Sequence, residues 1–170
     1  RGVYAFPGSC TTPCAPLWVT NTQFSPAAAP TVAGGLVMVA DYQGTLYALD
    51  EATGIVQWKG AVTPIPHAIA TAHGVAYVAS GNGELVAFAV AGCGEGVCNP
   101  LWTSAPSGFS LFTPTIANGV VYVGALDFVY TKGDVLAYPT TCVDGCEPLA
   151  TLVLGGANET PLAIAGGRIY

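Results

Sequence analysis

The chain has 170 residues, enough for one domain with a sizeable core or for a piece of a larger one. Hydrophobic residues make up 52% and charged residues only 8%. Gly and Pro nevertheless interrupt every apolar run before it reaches the ~20 residues of a membrane helix, so no membrane span is expected. Four Lys+Arg stand against ten Asp+Glu, a net charge of −6 that excludes the cationic face of a nucleic-acid or anionic-lipid binder.

The chain opens inside a strand-like run, Gly2-Val3-Tyr4-Ala5-Phe6, with no initiator Met, signal peptide or basic leader. Targeting information is therefore expected to have been removed or never included. Cys10, Cys14 and Trp18 follow. A first complete unit begins with a strand around Pro30 to Ala33, and a Gly34-Gly35 turn leads to a second, Leu36 to Ala40. Asp41-Tyr42-Gln43-Gly44 turns into the third, Thr45 to Leu49, and the fourth is expected to end on Trp58. The next unit carries His67 and His73 in its first-strand region. Its hairpin turn is Ser80-Gly81-Asn82-Gly83, whose Asn-Gly favours the positive φ of a tight turn. A third unit runs through Val120-Val121-Tyr122-Val123, and the chain closes on strand-like segments at Leu162 to Ala165 and Arg168 to Tyr170.

These segments repeat. An alanine between large apolar residues recurs at Ala5, Ala48, Ala87 and Ala137, in steps of 39 to 50 residues. Before a strand-like run, Gly35, Gly74, Gly119 and Gly167 recur; downstream stand Trp18, Trp58 and Trp102, with Ala150 in the fourth slot. The second strands lack polar alternation, as strands covered on both faces do. Stacked blades of a β-propeller bury their inner strands in this way. The reading is all-β: propeller blades of four antiparallel strands, about four units, one split between the termini. Residues 1–20 are the second half of a blade, 21–60, 61–104 and 105–153 are blades, and 154–170 are a first half. A closed β-sandwich is the alternative, disfavoured by four near-copies of one unit.

The segment Ala48-Leu49-Asp50-Glu51-Ala52-Thr53-Gly54-Ile55-Val56-Gln57-Trp58 resembles the tryptophan-docking motif, A-x-D-x-x-T-G-x-x-x-W, of the PQQ-like (quinoprotein-type) β-propeller repeat family. Gly34-Gly35-Leu36-Val37-Met38-Val39-Ala40-Asp41 is similar to the family's G-G-x-V-Y-V run, with Met38 in the tyrosine slot. The resemblance implies that Trp18, Trp58 and Trp102 are blade-to-blade struts, and that Asp50 and Thr53 stabilise a turn around Ala48 to Gly54. The family holds both quinone-dependent dehydrogenases with calcium and non-enzymatic binding scaffolds, and fold alone does not choose between them.

Six cysteines form three close pairs, Cys10/Cys14, Cys93/Cys98 and Cys142/Cys146, each between the third and fourth strands of its unit. The exits match: Cys14-Ala15-Pro16-Leu17, Cys98-Asn99-Pro100-Leu101 and Cys146-Glu147-Pro148-Leu149. Local pairs at one position read as disulfide-closed loops. Zinc is the rival, but a structural site takes four ligands and each pair stands alone in its blade; free thiols are the other alternative. Closing so short a loop restricts the unfolded chain by only ~2 kcal/mol. Such bridges are expected to pin turns locally without holding blades together. They point to an extracytoplasmic location: secreted, periplasmic or cell-surface.

No catalytic constellation is found. The carboxylates fall mostly at turns or strand edges (Asp41, Asp50, Glu51, Glu84, Asp134) or in or beside cysteine loops (Glu95, Asp144, Glu147), where they cap turns or keep a surface soluble. No Cys-Cys dipeptide and no acidic cluster match what a quinone dehydrogenase carries, so no catalytic, cofactor or metal residue is assigned. His67 and His73 read as partly buried polar residues near a strand start. Asn158-Glu159-Thr160 fits a glycosylation sequon, a weak pattern. One departure from the repeat stands out: Gly119 to Ala137 spans 18 residues, against 13 from Gly35 to Ala48 and from Gly74 to Ala87. The insertion lies near Asp127, Phe128, Tyr130 and Lys132, a candidate contact loop with aromatic anchors. The expectation is a non-enzymatic module for a protein partner or neighbouring copies or blades. A fragment of a larger PQQ-dependent quinoprotein oxidoreductase is the alternative.

Overall fold

A computed structural model describes residues 2–11, 13–62, 65–129, 131–156 and 161–170. Among them every regular element is a strand. The N-terminal pair is β1 (Gly2–Ala5) and β2 (Trp18–Asn21), antiparallel with Ala5 opposite Trp18. The first complete blade is β3 (Thr31–Ala33), β4 (Leu36–Ala40), β5 (Thr45–Asp50) and β6 (Val56–Ala61). The second contains β7 (Pro66–Ala72), β8 (Val75–Ser80) and β9 (Leu85–Ala89); a short β10 (Val97–Cys98) follows in the chain before its outer strand, β11 (Trp102–Thr103). The third is β12 (Ser110–Ala117), β13 (Val120–Leu126), β14 (Gly133–Pro139) and β15 (Ala150–Val153). A hairpin of β16 (Ile164–Ala165) and β17 (Arg168–Ile169) ends the described chain. It forms a sheet separate from that of β1 and β2. Within each complete blade the strands lie in chain order and run antiparallel.

The tryptophans differ from expectation in one detail. Trp18 and Trp102 begin their strands and Trp58 lies near the start of β6, instead of ending the fourth strand. The reason lies in the register. The indole is needed beside the turn between third and fourth strands, and the rest of the fourth strand pairs onward along the third.

Side-chain alternation explains why the second and third strands read as continuous apolar runs. Successive residues of a strand point to opposite faces. Along β4, Val37 and Val39 join one apolar cluster with Val3, Tyr47 and Leu49, while Met38 and Ala40 join another with Trp58, Val78 and Phe88. Along β8, Ala76 and Val78 face that second cluster, and Tyr77 and Ala79 face a third built with Trp102, Val121 and Leu136. Each cluster fills one interface between successive sheets. A polar residue at either parity would lie in a dry interface, so both parities are apolar.

Candidate functional site

The recurring alanine fixes the geometry of every blade junction. Ala5 lies opposite Trp18, Ala48 opposite both Met38 and Trp58, and Ala87 opposite both Tyr77 and Trp102. In the third blade Ala137 lies opposite Tyr122 and Ala150. From the tryptophan positions the indoles reach the following blade. Trp18 Nε1 donates to the carbonyl of Glu51 at 3.0 Å, Trp58 Nε1 to Val90 at 3.0 Å, and Trp102 Nε1 to Thr140 at 3.4 Å. Each acceptor stands three residues after the alanine of its own blade.

The same three peptides are held from the other side. The amide of Glu51 donates to Gly35, that of Val90 to Gly74 and that of Thr140 to Gly119, at 2.8 to 3.0 Å. Those glycines have φ of 76, 77 and 77°, a left-handed turn in which a side chain is strained. One residue per blade thus binds its own first hairpin through N–H and the preceding blade through C=O.

In the first blade the docking turn is shaped by Asp50, whose Oδ1 accepts from the Thr53 amide at 2.8 Å and the Thr53 hydroxyl at 2.7 Å. The hydroxyl bond, ahead of the amide, holds the Asp50 carboxyl below the usual carboxylate range. Gly54, at φ 71°, lies under Trp18, where a Cβ would come within 2.6 Å of the ring carbon Cδ2. Gly92 sits likewise under Trp58.

All six cysteines are joined in nearest-neighbour disulfides, with Cα separations of 6.4, 5.6 and 6.1 Å. Two of these loops also contact the preceding blade. β10 pairs parallel with the outer strand β6, making its sheet five-stranded, and Cys146 bridges Ser104 in the same sense. The bridges were expected to pin turns locally, and the loops that they close also touch the neighbouring sheet. The loop between third and fourth strands projects toward the preceding blade, because that is where the docking peptide must meet the indole.

Turns between the second and third strands end each blade on the opposite side. Asp41 is fully buried there. Its Oδ1 accepts from the amides of Gln43 and Thr45 at 3.0 Å, and its Oδ2 from the Tyr47 hydroxyl at 3.0 Å. Burial, first of several causes, raises the Tyr47 phenol above its usual value. In the third blade the insertion adds two residue pairs, Ala125 with Asp134 and Leu126 with Gly133, so the hairpin is longer. Asp127 ties Thr131 and Lys132 across its tip. Oδ1 accepts from the amides of Thr131 at 2.6 Å and Lys132 at 3.1 Å, and Oδ2 accepts from the Thr131 hydroxyl at 2.7 Å. The hydroxyl bond is the leading cause that lowers the Asp127 carboxyl pKa. Phe128 is 59% exposed and Val129 72%; Lys132 is exposed. Tyr130 and the sequon at Asn158 lie outside the described residues.

His67 is half-buried on β7, with Nδ1 2.9 Å from the Leu111 carbonyl and its ring stacked on Phe112. His73, expected near a strand start and partly buried, is instead exposed in the β7–β8 turn with φ 50°. No group of three or more His, Cys, Asp or Glu among the described residues could hold a metal ion.

Four-stranded blades, stacked face to face and joined by an indole docked on the next blade's turn, define a class: the β-propeller of PQQ-like repeats, whose fold this chain shares. Residues 12–92 match the family described as outer membrane protein assembly factor BamB. No curated protein matches the chain in sequence. Among solved structures, the computationally designed Ika8 protein is similar over 91% of this chain and 45% of its own, with a TM-score of 0.72 and 14% identity. BamB from Moraxella catarrhalis matches over 81% of this chain and 54% of its own, with a TM-score of 0.52 and 18% identity. Quinohemoprotein alcohol dehydrogenase from Comamonas testosteroni matches over 76% and 21%, with a TM-score of 0.59 and 21% identity. The chain thus spans about half or less of each of these three structures.

Proposed function

We propose that the chain is part of a non-enzymatic, extracytoplasmic binding or scaffold module that meets a protein partner through the tip of its lengthened hairpin, residues 127–132. The observation that carries this reading is the pairing of order with apolar exposure. Three hydrogen bonds to Asp127 shape the tip, yet Phe128 and Val129 face solvent. An exposed apolar pair on a shaped loop suits a contact surface, because little ordering is left to be done on binding. The three disulfides support a location outside the reducing cytoplasm. Asp41, Asp50 and Asp127 are each engaged as turn acceptors, which favours a structural use of these carboxylates over acid–base chemistry. The alternative, a piece of a PQQ-dependent oxidoreductase, draws on likeness of fold alone.

A photo-crosslinking residue placed at Phe128, with Val143 as an exposed comparison site, tests the reading in the native host. The expected result is one discrete protein adduct from position 128, competed away by unlabelled chain but not by its Phe128→Ser variant. Equal labelling from both positions, or no adduct at 128, would overturn it.

A further inference from the structure

We infer that the Cys93–Cys98 and Cys142–Cys146 disulfides are redox-operated latches between blades, each shaping a loop that pairs with the outer strand of the preceding blade. At the first junction β10 lies parallel to β6, Val97 opposite Lys59 and Cys98 opposite Gly60, and the Lys59 amide donates to the Gly96 carbonyl at 3.0 Å. At the second, Cys146 lies parallel to Ser104. There the Ala105 amide donates to the Cys146 carbonyl at 3.0 Å, and the Gly145 amide to Thr103 at 2.7 Å. Asp144 Oδ1 accepts from the Thr103 amide at 3.0 Å.

One register governs both junctions. The second cysteine of the loop faces the residue two past the docking tryptophan: Gly60 after Trp58, and Ser104 after Trp102. The loops differ in length, with cysteine separations of 5 and 4, yet reach the same place. A junction without cysteines reveals what the disulfide replaces. Two past Trp18 stands Thr20, whose hydroxyl donates to the Gly54 carbonyl, the last residue of the turn that Asp50 and Thr53 hold together. Blade one shapes its docking turn with a carboxylate–threonine pair; blades two and three shape theirs with a disulfide.

This difference gives two junctions a chemical sensitivity that the first lacks. In the 93–98 bond one sulfur belongs to an exposed residue, Cys93, and the other to Cys98, buried against the outer strand. A dithiol reductant attacks the Cys93 sulfur as thiolate, and the electron pair of the broken S–S bond leaves on the Cys98 sulfur, which takes a proton. The second thiol of the reductant then displaces Cys93 as a thiol and forms the reductant's own disulfide. Two electrons and two protons pass to the protein. The loop loses its closure, and the outer strand of the preceding blade becomes an unpaired edge, the kind of surface that invites strand addition. Cys98 and Cys142 belong to the clusters between the sheets, and the other members named above, Met38, Val78, Phe88, Tyr77 and Leu136, lie on strands outside the two loops.

Amide hydrogen exchange on the oxidised and dithiol-reduced chain, with thiol labelling to confirm reduction, tests the inference. Reduction should speed exchange of the Lys59 and Ala105 amides by roughly tenfold or more, and leave Tyr77 and Val78 in central β8 as protected as before. The paired variant Cys93→Ala, Cys98→Ala should affect Lys59 alone, and Cys142→Ala, Cys146→Ala should affect Ala105 alone. Asp144→Ala, which keeps every disulfide, should speed Thr103. Unchanged exchange at Lys59 and Ala105 in a fully reduced chain would overturn the proposal, since the loops would then be local staples. Loss of protection throughout β8 would overturn it equally, because the bonds would be supports of the blades themselves.

Discussion

Gly92→Ala and Gly94→Ala form a matched pair that isolates the tryptophan junction. Both glycines lie beside the same disulfide loop with left-handed φ, 77° and 83°. Alanine in that conformation costs roughly 1–2 kcal/mol, part of it offset by the lower freedom of alanine in the unfolded chain. At Gly94 nothing lies within 4 Å of the new Cβ. At Gly92 the Cβ would stand 2.6 Å from Trp58 Cδ1 and 2.9 Å from Nε1. The indole cannot retreat, because it is buried against Phe88 and tied to the Val90 carbonyl. Overpacking of this kind adds about 1–3 kcal/mol. Gly94→Ala should therefore cost about 1 kcal/mol, and Gly92→Ala about 2–4 kcal/mol, read from urea midpoints by tryptophan fluorescence. Equal losses in the two variants would refute the claim that close approach of the indole, and not backbone conformation, selects glycine at position 92.

Trp58→Ala should destabilise the chain by about 3–5 kcal/mol in the same assay, more than Trp18→Ala, because Trp58 is buried and Trp18 only half-buried. The Asp127 carboxyl should titrate below the ordinary value of about 3.9 when followed by carbon NMR. Its contribution to loop order is present above that value and is lost as pH falls through the lower folded-state pKa, so a midpoint at or above the ordinary value would contradict the Thr131 hydrogen bond. Burial raises the Tyr77 and Tyr138 phenols, and is the first cause at Tyr47. Their contribution is complete below about pH 10 and is lost as pH climbs through the raised values, so ultraviolet titration should show these phenols ionising later than the rest.

The repeat was legible because the junction imposes it. Ala48, Ala87 and Ala137 recur with Trp58 and Trp102 since each blade repeats one register, and apolar runs at both parities declare strands covered on two faces. The peptides of Glu51, Val90 and Thr140 were not legible. They act through backbone N–H and C=O groups, so glutamate, valine and threonine serve equally and leave no signature beyond their distance from the alanine. The parallel contact of Val97 with Lys59 was hidden for a similar reason, since a two-residue pairing carries no periodicity. Asp41 could be placed in a turn from sequence, but its complete burial beneath the Tyr47 hydroxyl depends on the neighbouring connection and not on the hairpin itself. His73 was misplaced because a left-handed turn residue looks like any other polar residue when Gly74 alone is taken to mark the turn.

The central functional claim is that these blades bind without catalysing. Absorption spectroscopy of the protein in its natural full length, purified from its host without dialysis against chelators, tests this most directly. The account predicts a spectrum of tyrosine and tryptophan alone, and no reduction of an artificial electron acceptor when alcohols are supplied. A quinone absorption band present in stoichiometric amount, with alcohol-dependent dye reduction, would contradict it.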